Sequence, residues 1–281
     1  MANIAAIAIG FDAVVMSNEA SADEPTRNID GLEINHQWSK STEAERLLRE
    51  VLNSNDMSVE YFSALRGLTE FQIFELFADF DEYHKAFTSC NRAFRIDESI
   101  RSTQWCGDCD KCRFVFLGLS AFRGPEYTSE IFGANLFEDE SQIHGFIDLL
   151  GIEDSKPFEC VGTAKESRTL SRNALLFDAT SNSVVGKALK QALETTSLLI
   201  EKFPSQVTRE FLPTEIDQTI DNLRVKHFQN HLQNHLRNTS IAVVGLGRDT
   251  SAIIRFLENH ASVKTIDIYI PSKPELSQNE F

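Results

Sequence analysis

Three cysteines occupy one heptapeptide, Cys106-Gly107-Asp108-Cys109-Asp110-Lys111-Cys112, and a fourth, Cys90, lies a short way upstream. Two-residue gaps let successive thiolates face one ion, and four soft sulfur ligands suit zinc or an iron–sulfur cluster. Chance rarely packs three cysteines so tightly into a chain that has only five. Buried thiols or a redox dithiol are the structural alternative, and the spacing favours a metal. A closed four-cysteine zinc site is normally structural, so Cys90, Cys106, Cys109 and Cys112 predict a scaffold and name no reaction.

Other residue types in the chain could do chemistry. Cys160 stands apart from the cluster, beside Glu159, in a loop ahead of a helix whose N-terminus would activate a thiol. Its alternative is an inert buried cysteine. His36, in Asn35-His36-Gln37-Trp38, is a general-base candidate or a ring packed against Trp38. Arg92, Arg95, Lys111 and Arg113 bracket the cysteines, a local basic group that suits phosphates or carboxylates or simply balances the thiolates, Asp108 and Asp110. His227, His231 and His235 recur every four residues but sit in a polar Asn/Gln repeat, which reads as a solvated helix face. Gly245 and Gly247 offer backbone N–H groups to a phosphate at a helix start, with Thr250 where a third glycine would stand, so this nucleotide loop is weak.

These groups need elements to hold them. Residues 11–16 form an apolar, valine-rich run that predicts a buried strand, and Ser17, Asn18 and Glu19 follow at its carboxyl end, where α/β folds place ligand contacts. The first ten residues read as the end of a buried helix. Residues 23–31 read as a polar loop. Helical spacing covers 39–53, a second strand 58–65, and an aromatic helix 68–80 in which Phe71, Phe74, Phe77 and Phe80 form a core stripe. Cys112 opens an apolar helix. Further helices are expected at 129–132, 140–150, from about 163, at 184–201 and at 213–235. The last segment is a β-α-β unit with strands at 241–247 and 263–270 and a helix at 251–259. The domain expectation is therefore 1–237 and 238–281, an α/β and helical region followed by a partial Rossmann-like unit.

Composition narrows the function classes. Hydrophobic residues make up 42% and charged residues 25%, a globular profile. The net charge of −15 argues against a nucleic-acid binder, which needs a basic surface. No apolar run reaches the ~18–20 residues of a membrane span. Clustered cysteines fit reduced thiols and a cytoplasmic setting.

The stretches Asp12-Ala-Val-Val-Met-Ser-Asn-Glu19, Asn35-His-Gln-Trp-Ser-Lys-Ser41, Ser89-Cys-Asn-Arg-Ala-Phe-Arg95, Trp105-Cys-Gly-Asp-Cys-Asp-Lys-Cys-Arg-Phe-Val-Phe116 and Lys156-Pro-Phe-Glu-Cys-Val-Gly162 together resemble the UDP-N-acetylmuramoyl-L-alanyl-L-glutamate epimerases of bacterial peptidoglycan synthesis, over roughly the first 235 residues. The four-cysteine pattern is also similar to that of deazaguanine-forming synthases of ATP pyrophosphatase ancestry. The epimerase resemblance implies ATP- and magnesium-dependent activation of a glutamate carboxylate as an adenylate, proton removal at the α-carbon, return of a proton on the other face, and hydrolysis. It implies a UDP-muramoyl dipeptide substrate and a cell-wall role. On it, Asn18, Glu19 and His36 would line the pocket, Arg95 and Arg113 would meet anions, and Cys160 and Glu159 would transfer protons. The S-G-G-x-D-S phosphate loop of that ancestry does not occur in the 281 residues. Asn238-Thr-Ser-Ile-Ala-Val-Val-Gly-Leu-Gly-Arg-Asp-Thr250 resembles the start of a muramoyl ligase. The expectation is a chain that begins partway through an ATP pyrophosphatase-like domain, missing an N-terminal half and joined to a ligase piece, and inactive by itself. Two other readings stand beside it: a non-catalytic zinc-stabilised binding module, and a deazaguanine-synthase-like ATP-dependent enzyme.

Overall fold

The computed structural model describes residues 2–57, 59–102, 104–152, 157–194, 209–236, 240–244 and 265–269. It is a mixed α/β chain, mostly helical, that divides into two compact units, Met1–Asp217 and Gln218–Phe281.

The first unit starts with α1 (Ala2–Ile9) and β1 (Ala13–Met16). A hairpin follows, β2 (Arg27–Ile29) antiparallel to β3 (Leu32–Ile34), and then α2 (Thr42–Ser54) and β4 (Glu60–Ser63). Ser41 starts α2 by accepting a hydrogen bond from the Ala44 N–H. β1 and β4 run parallel, from Ala13 opposite Glu60 to Met16 opposite Ser63, with α2 as the crossover. A small apolar cluster of Ala6, Leu52, Val59 and Tyr61 sits over this pair, with Val14 and Met16 packed against it.

Two expectations are corrected here. The opening helix and strand were read as buried, yet only Ala6 of α1 is buried, and Ile4, Ile9 and Val15 are largely exposed. A two-stranded sheet covered on one side shields only alternate residues, and here Val14 and Met16 are half-buried. The stretch 23–31 is also not all loop. Asp30 and Gly31 both take positive φ, 52° and 84°, as a two-residue turn of the primed type demands, and they close the β2–β3 hairpin.

The helical layer holds the main core. It comprises α3 (Glu70–Phe77), α4 (Asp81–His84), α5 (Asp110–Arg123), α6 (Pro125–Phe132), α7 (Ile143–Leu149), α8 (Ala164–Ala174), α9 (Asp178–Asn182) and α10 (Val184–Glu194). α5 is apolar nearly all round and packs against α3, α6, α7 and α8, so it is the central helix. Phe116, Leu117 and Leu119 are fully buried on it. The Phe stripe joins this core: Phe74 meets Phe114 edge-on at 5.5 Å, and Phe71 and Phe77 pack beside it. Capping boxes at Thr69/Gln72 and Thr163/Glu166 start α3 and α8.

In sequence, α11 (Thr214–Leu236) spans the division between the units, and β5 (Ser240–Val244) pairs parallel with β6 (Thr265–Tyr269) in the second. Gly245, Gly247 and the expected helix at 251–259 lie outside the described residues, as do the side chains of His231 and His235. Among the described residues, no helix is long and apolar enough to cross a membrane.

Candidate functional site

The cysteine cluster is assembled from two segments. The Cys90 N–H donates to the Thr88 hydroxyl at 3.2 Å, and that hydroxyl donates to the Gln104 carbonyl at 2.8 Å, tying the upstream cysteine to the heptapeptide. Trp105 stacks on Phe132 at 4.5 Å and seats the heptapeptide on the helical core. Gly107 bends the chain at φ 71°, and Cys109 is the N-cap of α5. The four sulfurs lie within 4.8 Å of one another, with Cys106 and Cys112 at 3.7 Å. A tetrahedron with metal–sulfur bonds of ~2.3 Å has edges of about 3.8 Å. Cys90 and Cys112 are fully buried. The hydrogen bond from Cys112 is the main cause that holds the Cys109 thiol down at about 4, with the backbone N–H groups of Cys112 and Asn91 adding to it. Donating that bond pushes Cys112 up, and burial pushes Cys106 up. The four cysteines can hold a metal ion.

Arginines flanking the cluster are largely engaged locally. Arg113 donates to Gln142 and Asp110 at 2.9 Å each and to Asp108 at 3.1 Å, and Arg92 donates to Asp108 at 2.8 Å. Arg95 is exposed, and its carbonyl accepts from Arg101. Burial raises the Asp110 carboxyl, Arg113 opposes this, and the charge of Glu159 adds to it.

A cavity of about 540 Å³ opens where residues following β1 and β4 meet α3 and α5. Its polar wall consists of Ser17, Lys40, Glu70, Ser89, Lys111 and Cys160, over a floor of core phenylalanines. Ser89 and Lys111 are immediate neighbours of the cluster residues Cys90 and Cys112, so the metal loop shapes this wall. Asn18 is buried and donates to the Ser63 hydroxyl at 3.0 Å, locking the strand ends together, while Ser17 lines the cavity. The Glu19 carbonyl accepts from Arg66 at 3.0 Å.

His36 and Cys160, 124 residues apart in sequence, meet at the cavity's edge with Nε2 and Sγ 3.7 Å apart. Thr26 Oγ1 holds the other ring nitrogen at 2.5 Å. Phe158 packs on the ring at 4.5 Å and carries Arg27 above it at 4.8 Å. When Nδ1–H donates to Thr26, the Nε2 lone pair faces the thiol and can take its proton. Glu159 is half-buried beside this pair. Sequence reasoning missed Lys40 and Glu70. The capping pattern Thr69-x-x-Gln72 marks a helix start directly after a strand, and that is the signal that could have found Glu70.

Two family models match the chain, the MurL N-terminal domain over residues 1–64 and the MurL C-terminal domain over residues 86–202. A UDP-N-acetyl-alpha-D-muramoyl-L-alanyl-L-glutamate epimerase from a Micromonospora species is 46% identical over 185 residues, 66% of this chain and 41% of that protein. The protein of the same name from Salinispora tropica is 48% identical over 159 residues, 56% of this chain and 34% of its own length. That from Xanthomonas oryzae pv. oryzae is 42% identical over 167 residues, 59% and 37% of the two chains. The chain thus spans between 34% and 41% of the length of the curated relatives it matches. No solved structure matches it.

Proposed function

We propose that this chain, which belongs to the MurL family, forms part of an epimerase that inverts the terminal L-glutamate of a UDP-N-acetylmuramoyl-L-alanyl-L-glutamate precursor of peptidoglycan. The observation that carries the reading is the Cys160–His36 pair, 3.7 Å apart on a cavity walled by both MurL-matched segments. His36, Ser17 and Lys40 come from the first, and Ser89, Lys111 and Cys160 from the second.

Inversion at a carbon beside a carboxyl group requires loss of the α-proton and its return on the other face. His36 takes the Cys160 proton, and the resulting thiolate is a base beside the cavity. Lys40 and Lys111 supply positive charge for the glutamyl carboxylates as negative charge develops in the transition state. The 540 Å³ cavity admits the amino-acid end of the substrate and leaves the nucleotide sugar outside. ATP and magnesium, implied by the family resemblance, would activate the carboxylate, and none of the described side chains is assigned to them. Zinc is the metal we propose for the four cysteines, in a structural role that fixes Ser89 and Lys111 in the wall. The β1–α2–β4 unit is read as part of an ATP pyrophosphatase-like α/β domain, in a cytoplasmic enzyme. Asn18 and Glu19 are assigned to the substrate end of this unit, Arg95 to outlying anionic groups, and Glu159 to assist proton transfer, while Arg113 is held by Asp108, Asp110 and Gln142.

The test combines calorimetric binding of the UDP-muramoyl dipeptide with deuterium exchange at its glutamyl α-carbon, run with ATP and magnesium. Cys160→Ser and His36→Ala should keep binding and lose exchange of one glutamyl epimer by about 10²-fold or more. A chain that does not bind the dipeptide, or variants that exchange both epimers as fast as an exchanging parent does, overturns the reading.

A further inference from the structure

Glu70 is the first residue of α3 and stands in the wall of the same cavity as Cys160, yet neither the thiol–imidazole pair nor the cysteine loop uses it. Its own backbone N–H is taken by Glu166, which accepts it at 2.7 Å and also accepts the Thr163 N–H at 2.7 Å. One buried carboxylate on α8 therefore ties down the starts of α3 and α8 together, and the Glu70 side chain is left facing the cavity on a fixed backbone. A flexible surface glutamate would not have such a mount.

An inverting site needs a proton-transfer group on each face of the reacting carbon. Cys160 with His36 supplies one. Of the remaining polar side chains in the described wall, Ser17 and Ser89 are hydroxyls, and Lys40 and Lys111 are ammonium groups that serve the ligand's carboxylates. Glu70 is the carboxyl group. We infer that Glu70 is the second proton-transfer residue of this cavity, entering from α3 while Cys160 enters from the loop ahead of α8. The inference rests on the epimerase reading.

The groups that face Glu70 support the assignment. Burial pushes its carboxyl well above the usual carboxylate range, Glu19 after β1 and Glu166 on α8 add like charge, and Lys40 ahead of α2 opposes them. Part of the residue stays open to the cavity while the carboxyl is shielded from bulk water. Lys111 on α5 and the Cys160 thiol complete the polar surroundings. A carboxyl whose affinity for its proton is raised by burial is suited to give that proton up and recover it during a cycle.

The step balances. Cys160 thiolate accepts the α-proton, and the C–H electron pair moves into the adjoining activated carbonyl to give an enolate. That pair returns to the α-carbon as the Glu70 O–H delivers its proton, leaving a carboxylate. The thiol then loses, and the carboxylate regains, one proton through solvent, and nothing is oxidised or reduced.

The experiment follows deuterium wash-in at the α-carbon, starting separately from the L- and D-glutamyl dipeptides, for the parent chain, Glu70→Gln, Glu70→Asp and Cys160→Ser. Glu70→Gln should bind both ligands, keep its metal, and exchange one epimer while losing the other by about 10²-fold. Cys160→Ser should show the opposite preference, and Glu70→Asp should restore part of the lost exchange. Equal exchange of both epimers by Glu70→Gln overturns the inference, as does loss of binding in step with exchange. An infrared difference between the parent and Glu70→Gln separates this from the wider reading. If the parent exchanges neither epimer but a protonated-carboxyl band is present at neutral pH, exchange by this chain on its own falls and the proton-holding carboxyl is supported. If that band is absent, the Glu70 assignment falls.

Discussion

Cys109 has two roles: its sulfur belongs to the cluster and its backbone is the N-cap of α5. Its substitution should therefore reach beyond the metal. Cys109→Ser is expected to lose most of the bound zinc by elemental analysis, and to loosen the lobe around it, because metal binding free energy at such a site is largely folding free energy. Unchanged metal content would refute the four-cysteine assignment, and a strong visible iron–sulfur absorbance would replace zinc by a cluster. The carboxyls of Glu70 and Glu166 lead to a second expectation at this scale. Both are raised in the folded chain, chiefly by burial. The folded state thus holds their protons more tightly than the unfolded state does. Their contribution to stability is full below the ordinary carboxylate value of 4.5 and is lost as pH rises through the raised folded value. Glu70→Gln removes one of these titrations, so its melting temperature should fall less than the parent's as pH rises above 4.5. Parallel curves for the two proteins would show that Glu70 does not titrate differently on folding.

At the level of elements, α5 is the part on which the site depends, since it carries Cys109, Cys112 and Lys111 at one end and packs against four helices along its length. At Gly118 the helix lies against the Phe74 side chain of α3. A Cβ built there would stand 2.4 Å from the ring of Phe74. Phe74 is held edge-on to Phe114. Gly118→Ala should gain up to about 1 kcal/mol of helix propensity and lose more to overpacking, for a net destabilisation on the order of 1–3 kcal/mol in urea unfolding. A stabilised Gly118→Ala would mean that the α3–α5 contact yields easily. The β2–β3 hairpin matters for another reason: it brings Thr26 and Arg27 to the ring system of His36 and Phe158.

For the whole molecule, the cysteine cluster, the cavity and the main core all lie within the first compact unit, Met1–Asp217. We propose that the residues after Arg237 are dispensable to it. Chain ending at Arg237 should keep its metal and its melting temperature. Loss of either would make the β5–β6 pair a necessary partner of the rest, and would move the boundary.

Local spacing was legible in the sequence wherever the chemistry is local. The heptapeptide places three thiols within two helical turns' reach of one point by backbone geometry alone, and the Phe spacing of α3 and the apolar run of α5 announce buried helix faces for the same reason. The resemblance motifs likewise needed only contiguous residues. What the tertiary structure alone decided is which distant segments meet. His36 and Cys160 come together over 124 intervening residues, Glu166 clamps the start of α3 from 96 residues away, and Lys40 and Glu70 share a wall with Lys111. No periodicity encodes such meetings, because they follow from how the helical layer packs onto the ends of β1 and β4. The same packing decided the fate of Arg113, a basic residue next to the cluster whose guanidinium is spent on Asp108, Asp110 and Gln142, while Lys111, two positions earlier on the same turn, reaches the cavity.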